Sequence, residues 1–413
     1  MRALEARWPG SDLPAPDAYG VAPRAQASEE RLILALARRR GQPELAGLAA
    51  GVDYALLESE LRRLKLLGLL GSRLVDAVPH VVPAAFTASV GEIVSAGRRD
   101  AAHMELLTWR LLQVLADAGI TAMPLKGPLL AERLHGDPGL RLSHDIDLLV
   151  VPDELQLAVA ALERVGCTRP RTGDALPRLH HIFETPGGRP VELHWRIHWY
   201  ESTYATAMLR RAWLRNGVLV PSPADELLSL LLFHARDGMT GLRTPVDVAA
   251  WWTQNDPAGS AAPIGEILAR HPRLTLPAAA AALAVEHVLG LPVPTAVSRR
   301  PPARRRVRAA ARLADWSLAR SPAESDASTK IIDGLMTDAA GLPAFLVRAG
   351  LPRLPGPRAT LPLRQLLYNL ALARHAFSLL LGLRREQRPA PPTLRPSGDA
   401  SPAPPRSPTP QHD

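Results

Sequence analysis

Several residue types are scarce in this sequence, and each shortage excludes a class of protein. Cys167 is the single cysteine among 413 residues, so neither an internal disulfide nor a cysteine-based metal cluster can form. No run of about 18 uncharged apolar residues occurs, so we expect no membrane span. The first residues carry charge and lack the apolar segment of a signal peptide, and we therefore expect a cytoplasmic protein.

Aromatic residues and lysine are also rare. Aromatic residues make up 4% of the chain, so the core must be built from leucine, alanine and valine. Lys65, Lys126 and Lys330 are the only lysines, although lysine and arginine together number 49. The net charge of +9 therefore comes from arginine. It favours polyanionic ligands, and a nucleotide, a nucleic acid and an acidic protein all qualify.

Composition and periodicity predict a strand-bearing core between two helical regions. We expect a disordered tail over residues 1–27, a helical region over 28–98, an α/β core over 99–200, a helical domain over 201–386 and a disordered proline-rich tail over 387–413. A long helix over residues 98–119 is expected to lead into the core. A last amphipathic helix over residues 360–384 is expected to close the helical domain.

The most informative motif is a pair of aspartates that alternate with apolar residues. Asp145 and Asp147 precede a continuous apolar run, and because a strand has a period of two, both carboxylates lie on the same face. Two like charges so close together are costly unless a positive ion lies between them, and the usual ion is a divalent metal. An edge strand with two solvated acids is the alternative, because the motif is short.

A lysine and a glycine stand at a predicted strand-to-helix junction. The strand expected over residues 120–125 leads to Lys126 and Gly127, and Pro128 suits the first position of the helix that follows. Free amide groups and the helix dipole make such a junction an anion-binding site. A surface lysine in a loop is the alternative, and the rarity of lysine in this chain favours the anion site.

A third carboxylate follows a Gly-Gly hairpin turn. The strand after the turn alternates, which puts Glu192 and His194 on a polar face. Glu192 reaches Asp145 and Asp147 if the two strands are neighbours. Three carboxylates beside a phosphate-binding turn are what two-metal phosphoryl or nucleotidyl transfer requires. Glu184 on the preceding strand is the rival for the third position.

In this order, these motifs resemble the bacterial uncharacterised nucleotidyltransferase family of the polymerase-beta-like nucleotidyltransferase superfamily. The resemblance is carried by residues 125–127, 139–141, 145–150, 191–195 and 233–235. It implies an α/β (α+β) fold in which helices flank a mixed sheet. It also implies a paired-carboxylate motif, a third carboxylate and Mg²⁺.

By position, the resemblance implies a role for each motif. Asp145 and Asp147 match the metal-binding pair, here for two Mg²⁺ ions, and Glu192 matches the third acid. Lys126 and Gly127 occupy the phosphate turn, where the wider superfamily has Gly-Ser. The implied reaction moves a nucleoside monophosphate from an NTP to an acceptor and releases pyrophosphate. We expect a small-molecule acceptor; a non-catalytic nucleotide-binding regulator and an enzyme acting on RNA ends or on protein are the alternatives.

Further polar residues are candidates for the site. Arg141, just before the aspartate strand, is expected to add charge on the phosphates or to fix the loop. His234 is expected to line the nucleotide or acceptor pocket, and a core histidine held by Asp237 is the alternative. Asp247 is expected to pair with Arg243 at the interface with the core.

The basic segments allow a different interpretation. Three short helices with a basic third helix resemble a winged helix-turn-helix, in which Arg62, Arg63 and Lys65 would contact DNA. The basic segment over residues 299–312 would similarly suit RNA or an acidic partner. A solvated basic face on a packed helix explains both segments, so a nucleic-acid partner is possible but not favoured.

Overall fold

The computed structural model describes most of the chain between residues 27 and 339. The described residues are 27–169, 179–199, 201–255, 261–291, 304–320 and 322–339, with positions 297, 341–343, 345, 370, 374 and 377. The tail expected over residues 387–413 lies outside them, as does the tail over 1–27 except for its last residue. Most of the helix expected over residues 360–384 also lies outside them.

The N-terminal region is helical, as predicted. It comprises α1 (Ala27–Ala37), α2 (Gln42–Ala49), α3 (Tyr54–Arg63), a π-helical turn (Leu67–Gly71), α4 (Ser72–Ala77) and α5 (Ala84–Asp117). The helix α5 begins well before the expected start at residue 98. Gly91 and Gly97 lower the local helix propensity, but tertiary packing outweighs that effect. Gly97 lies in the buried face of α5.

A four-stranded mixed sheet forms the centre of the molecule. Its elements are β1 (Ala122–Pro124), α6 (Pro128–His135), a 3₁₀ turn (Pro138–Leu140), β2 (Ile146–Val150), a 3₁₀ turn (Pro152–Glu154), α7 (Leu155–Arg164), β3 (His180–Glu184) and β4 (Pro190–His194). The strand order is β1-β2-β4-β3. The central strands β2 and β4 are parallel, whereas each outer pair is antiparallel. This mixed sheet with helical flanks confirms the predicted fold class.

The loop before β2 lies directly on α5. Gly97 and Gly139 meet there, and a Cβ atom on Gly139 would lie 2.6 Å from the carbonyl oxygen of Val94. A larger residue at Gly139 would therefore force the loop away from α5. This close contact sets the path of the chain into the aspartate strand.

The C-terminal region is mainly helical, with one addition to the prediction. It contains α8 (Tyr204–Arg210), β5 (Trp213–Arg215), β6 (Val218–Val220), α9 (Pro223–Arg236), α10 (Arg243–Gln254), α11 (Ala261–Arg270), a 3₁₀ turn (Pro272–Leu274), α12 (Thr275–Leu289), α13 (Arg304–Arg312) and α14 (Pro322–Met336). The strands β5 and β6 form a hairpin around Asn216 and Gly217, both at positive φ. Asn-Gly is the dipeptide that such tight turns prefer, so the hairpin had a local sequence signal.

The two faces of the sheet pack against different helices. On one face, Ile146, Leu148 and Val150 of β2 join a cluster with apolar residues of α5 and α7. On the other face, Leu149 joins the larger cluster that contains the α8 and α9 side chains. The alternation predicted for β2 is therefore confirmed, and the aspartates lie on the face toward α9. Among the described helices, none is both long and apolar enough to cross a bilayer.

Candidate active site

Three carboxylates converge on one face of the sheet. Because β2 and β4 are parallel neighbours, Asp147 lies directly beside Glu192 in the register. Asp145, Asp147 and Glu192 each offer one oxygen, and these oxygens lie within 4.8 Å of one another. That spacing suits a divalent cation with oxygen ligands. Glu184, the rival for the third position, is exposed and pairs with Pro190 at the far end of β4.

Asp147 is the most deeply buried of the three acids, at 2% exposure. Its Oδ1 lies 2.9 Å from His194 Nε2 and 3.5 Å from Lys126 Nζ. Burial alone would raise the pKa of this carboxyl, but Lys126 and His194 outweigh burial, and the pKa of Asp147 is lowered. Asp147 is therefore ionised at neutral pH, the form in which a carboxylate binds a metal.

The other two acids respond differently to the same surroundings. Burial raises the pKa of Asp145, and the nearby charges of Asp147 and Glu192 raise it further. Burial also opposes ionisation of Glu192, yet a hydrogen bond from His194 leaves the pKa of Glu192 lowered. Of the three carboxyl groups, only Asp145 therefore has a raised pKa, because repulsion from the other two is not outweighed there. A bound cation between the carboxylates would relieve this repulsion.

The Lys-Gly junction lies at the edge of this cluster. Gly127 precedes α6 with φ 89° and ψ −156°, a backbone conformation that essentially only glycine adopts. The backbone N–H of Leu125 donates to the carbonyl oxygen of Asp147 at 3.0 Å, which ties the junction to β2. The start of α6 and the Lys126 ammonium group therefore both lie next to Asp147.

A second cationic residue, Arg236, faces the cluster and was missed in the sequence. Lys126 Nζ lies 4.0 Å and Arg236 Cζ 4.8 Å from the centre of the Phe233 ring, so both cations stack on one aromatic side chain. Burial lowers the pKa of Arg236, but Asp237, Asp147 and Glu192 together leave it raised. Phe233 and Arg236 are three residues apart on α9, and this spacing on one helix face was the available signal.

Arg141 contacts another part of the protein. Its Nε lies 2.8 Å from Asp247 Oδ2, and both side chains are buried. Asp247 also contacts His135 Nε2 at 2.9 Å. Of the two roles expected for Arg141, this geometry favours fixing the loop before Asp145.

Among the described residues, Asp247 and Arg243 form no direct ion pair, although the charge of Arg243 helps to lower the pKa of Asp247. Arg243 donates instead to the carbonyl oxygen of Leu142, with Ser143 Oγ at 3.5 Å. The direct partner of Asp247 is instead Arg141, which is also buried. Both arginines thus attach the loop before β2 to α10.

His234 is almost wholly buried in α9, and burial lowers its pKa to about 4. It is therefore neutral at neutral pH. Its expected holder, Asp237, forms an ion pair with Arg236 at 3.0 Å. His234 belongs to neither group of potential metal ligands among the described residues.

Most of the basic side chains assigned to DNA contacts are engaged within the protein. Arg62 contacts Glu58 at 2.8 Å and Ser89 Oγ at 2.6 Å. Arg63 pairs with Glu60 and donates to the carbonyl oxygen of Ser317 at 2.7 Å. These contacts favour a packing role for α3.

Lys65 lies near the cluster. Burial and Arg243 lower the pKa of Lys65, while Asp145 raises it.

Two histidines complete the polar surface beside Glu192. His194 Nε2 lies 3.1 Å and His180 Nδ1 3.6 Å from Glu192 Oε2. Burial, followed by His194, lowers the pKa of His180 to about 4, so His180 is neutral at neutral pH. The polar face predicted for β4 thus includes a histidine of the neighbouring strand.

Together, the fold and the site form a mixed sheet with helical flanks that presents three carboxylates beside a strand-to-helix turn. A family described as "Uncharacterised nucleotidyltransferase" matches residues 52–290, which is more than half of the chain. The chain therefore belongs to the uncharacterised nucleotidyltransferase family. Comparison with curated proteins and with solved structures gave no match. The matched segment includes α3 and α12, so it extends into both helical regions beyond the sheet.

Proposed function

We propose that this protein transfers a nucleoside monophosphate from an NTP to a small-molecule acceptor and releases pyrophosphate, with Mg²⁺ as cofactor. The observation that carries the proposal is the convergence of the Asp145, Asp147 and Glu192 oxygens within 4.8 Å. Magnesium prefers oxygen ligands, and a carboxylate trio of this spacing fits that preference. When bound, the ions would neutralise charge on the triphosphate and align it with the acceptor.

The residues around the trio would bind the donor. Lys126 Nζ now lies 3.5 Å from Asp147, where it partly offsets the carboxylate charge. With a cation at Asp147, the ammonium group would be released to contact the triphosphate. The amide groups at Gly127 and at the start of α6 would bind the same anion. Arg236, beside Lys126 on the Phe233 ring, would add a second positive side chain.

The acceptor would approach from the side of Glu192. Glu192 is ionised at neutral pH because its pKa is lowered, and this also makes it a weak base. It would accept a hydrogen bond from an acceptor hydroxyl or amine and, together with the bound cation, help that group to lose its proton. Arg141 would act indirectly, by fixing the loop before Asp145 through Asp247. His234 would line the nucleotide or acceptor pocket, because a neutral buried imidazole can form hydrogen bonds without adding charge.

Radiolabelled transfer tests the proposal. The parent protein is incubated with labelled NTPs, Mg²⁺ and a metabolite pool, and compared with Asp145→Asn and Asp147→Asn. Both variants should lose about 100-fold or more in rate, because each removes charge from the metal-binding trio and loss of the outer partners of metal ligands alone costs about 10–100-fold. Asp153→Asn is the matched control, since Asp153 is an exposed acid just after the same strand. Its rate should equal that of the parent.

The alternatives give different outcomes. Retained NTP binding without any transfer would support a non-catalytic nucleotide-binding regulator. Label that enters RNA or protein, and not metabolites, would support action on RNA ends or on protein. Equal transfer by the parent and by Asp147→Asn would refute the assigned site.

A further inference from the structure

Two histidines and Glu192 emerge from the same face of the sheet on adjacent strands. His180 of β3 lies directly opposite His194 of β4, and Glu192 is two residues before His194. Opposed residues of an antiparallel pair share a face, as do residues two apart on one strand. The two imidazole rings lie 4.7 Å apart between centroids. The strand register therefore brings two nitrogen ligands to the third carboxylate of the site.

The atom separations match those around a single metal ion. Zinc binds nitrogen and oxygen ligands at about 2.1 Å in a tetrahedron, which separates neighbouring ligand atoms by about 3.4 Å. Glu192 Oε2 lies 3.1 Å from His194 Nε2 and 3.6 Å from His180 Nδ1. One ligand atom from each of the three residues lies within 4.8 Å of the others. Only small side-chain movements would close this triangle on an ion.

The nitrogen of His180 that faces Glu192 is available as a ligand. Nδ1 of His180 is buried and has no hydrogen-bond partner within the described part of the chain. A buried polar atom without a partner is costly, and a metal ion would supply the missing contact. His194 Nε2 already points at two carboxylates, Asp147 Oδ1 at 2.9 Å and Glu192 Oε2.

We propose that His180, His194 and Glu192 bind a divalent transition-metal ion of the zinc type, next to the oxygen-only site of Asp145 and Asp147. The donor set is the reason: imidazole nitrogen suits zinc, whereas magnesium takes oxygen ligands. Three protein ligands leave a fourth position open, as in catalytic zinc sites. Asp147 Oδ1 lies 2.9 Å from His194 Nε2, next to this group of ligands.

The consequence for the reaction rests on the proposed function. Glu192 would then belong to two cation sites of different chemistry, one for the triphosphate and one for the acceptor. A zinc-type ion with an open position lowers the pKa of a bound hydroxyl or amine. The inference thus assigns the acceptor side of the site to oxygen or nitrogen nucleophiles that can bind a zinc-type ion.

The test is metal binding by the full chain, without any need for activity. The protein is freed of metal with a chelator, titrated with Co²⁺ and then with Zn²⁺, and followed by visible absorption. We expect one equivalent of Co²⁺ with the spectrum of a tetrahedral, nitrogen-containing site, displaced by Zn²⁺ and not by Mg²⁺. His180→Gln should weaken Zn²⁺ binding by more than about 100-fold, because loss of outer partners alone costs 10–100-fold.

His181→Gln is the matched control. His181 is the next residue on β3, its side chain points to the opposite face, and its ring lies 4.8 Å from that of Trp195. This variant should bind Zn²⁺ as the parent does. Equal Zn²⁺ affinity in the parent and in His180→Gln would overturn the inference, and so would a Co²⁺ spectrum of oxygen ligands only, as expected if His194 merely bridges two carboxylates.

A second measurement covers the case in which His180→Gln does not fold. X-ray absorption of the zinc-loaded parent should show two imidazole nitrogens at about 2.0–2.1 Å, and fewer than two would overturn the inference. The two proposals fail separately. Nucleotide transfer without this metal site would reject the inference alone, and zinc binding without transfer would reject the proposed function alone.

Discussion

Replacement of Asp247 by asparagine is the sharpest test of how the site is held. Asp247 is 1% exposed and accepts from Arg141 Nε at 2.8 Å, while His135 Nε2 lies 2.9 Å away. Arg141 is itself only 6% exposed. Removing one partner of a buried ion pair leaves the other charge uncompensated, which costs about 3–5 kcal/mol. Asparagine keeps the shape and one hydrogen bond, so we expect a loss at the low end of this range, about 3 kcal/mol.

The pH dependence supplies an independent magnitude for the same contact. Burial raises the pKa of Asp247, but Arg141 and His135 outweigh burial and lower it from 3.8 to about 2. The folded state thus prefers the ionised form, and the resulting stability is complete above about pH 4. It is lost as the pH falls from about 4 to about 2. At about 1.4 kcal/mol per pKa unit, the contribution is about 2 kcal/mol.

Urea unfolding, followed by tryptophan fluorescence between pH 2 and pH 7, measures both effects. The buried Trp251 lies on the same helix as Asp247 and reports on that region. The gap between the parent and Asp247→Asn should be largest above pH 4 and should shrink toward pH 2. Glu163→Gln is the control, because its ion pair with Arg169 has a similar length, 2.7 Å, but is exposed. It should cost less than about 1 kcal/mol.

Two outcomes would refute this reasoning. One is an Asp247→Asn variant as stable as Glu163→Gln at neutral pH. The other is a gap between the parent and Asp247→Asn that does not change with pH.

Two further predictions concern the phosphate side of the site. Gly127→Ala should lower the free energy of unfolding by about 1–3 kcal/mol and weaken NTP binding, because a φ of 89° is strained for any residue with a side chain. Gly91→Ala is the control, since a methyl group there has equal clearance but lies within the helix α5. In the same thermal-unfolding assay this control should be neutral or stabilising. An equal loss in both variants would contradict the backbone argument. Arg236→Met should raise KM for the NTP by about tenfold and change kcat less, since one charge-assisted contact contributes about 1.5–3 kcal/mol. Asp237→Asn, which keeps the arginine charge, should change KM little in the same steady-state assay, and an unchanged KM in Arg236→Met would remove that residue from the donor site.

Local patterns in the sequence were sufficient for the parts of the site that lie within one element. The alternation around Asp145 and Asp147 predicted their common face, because the period of a strand does not depend on its neighbours. The glycine and proline after Lys126 predicted the start of α6 for the same kind of reason. The pairing of β2 with β4 brings Glu192 to the aspartates. The sequence did not predict this pairing, and the contact was expected only if the two strands were neighbours.

Contacts between distant segments decided the rest. Asp247 was expected to pair with Arg243 of its own helix, but its direct ion pair is with Arg141 of the loop before β2. The spacing of Phe233 and Arg236 on α9 was too weak a signal to place Arg236 in the site, which it reaches because α9 packs against the sheet face that bears Asp147. The hairpin at Asn216 had a turn signal, but its two short strands lie within a region that was predicted to be helical.

The sequence by itself therefore determined the fold class, the family resemblance and the identity of the paired carboxylates, since each follows from short-range order along the chain. Only the tertiary structure decided which strands are neighbours, which cations face Asp147 and which histidines join Glu192. These depend on register and on helix packing, which bring together residues separated by tens of positions along the chain.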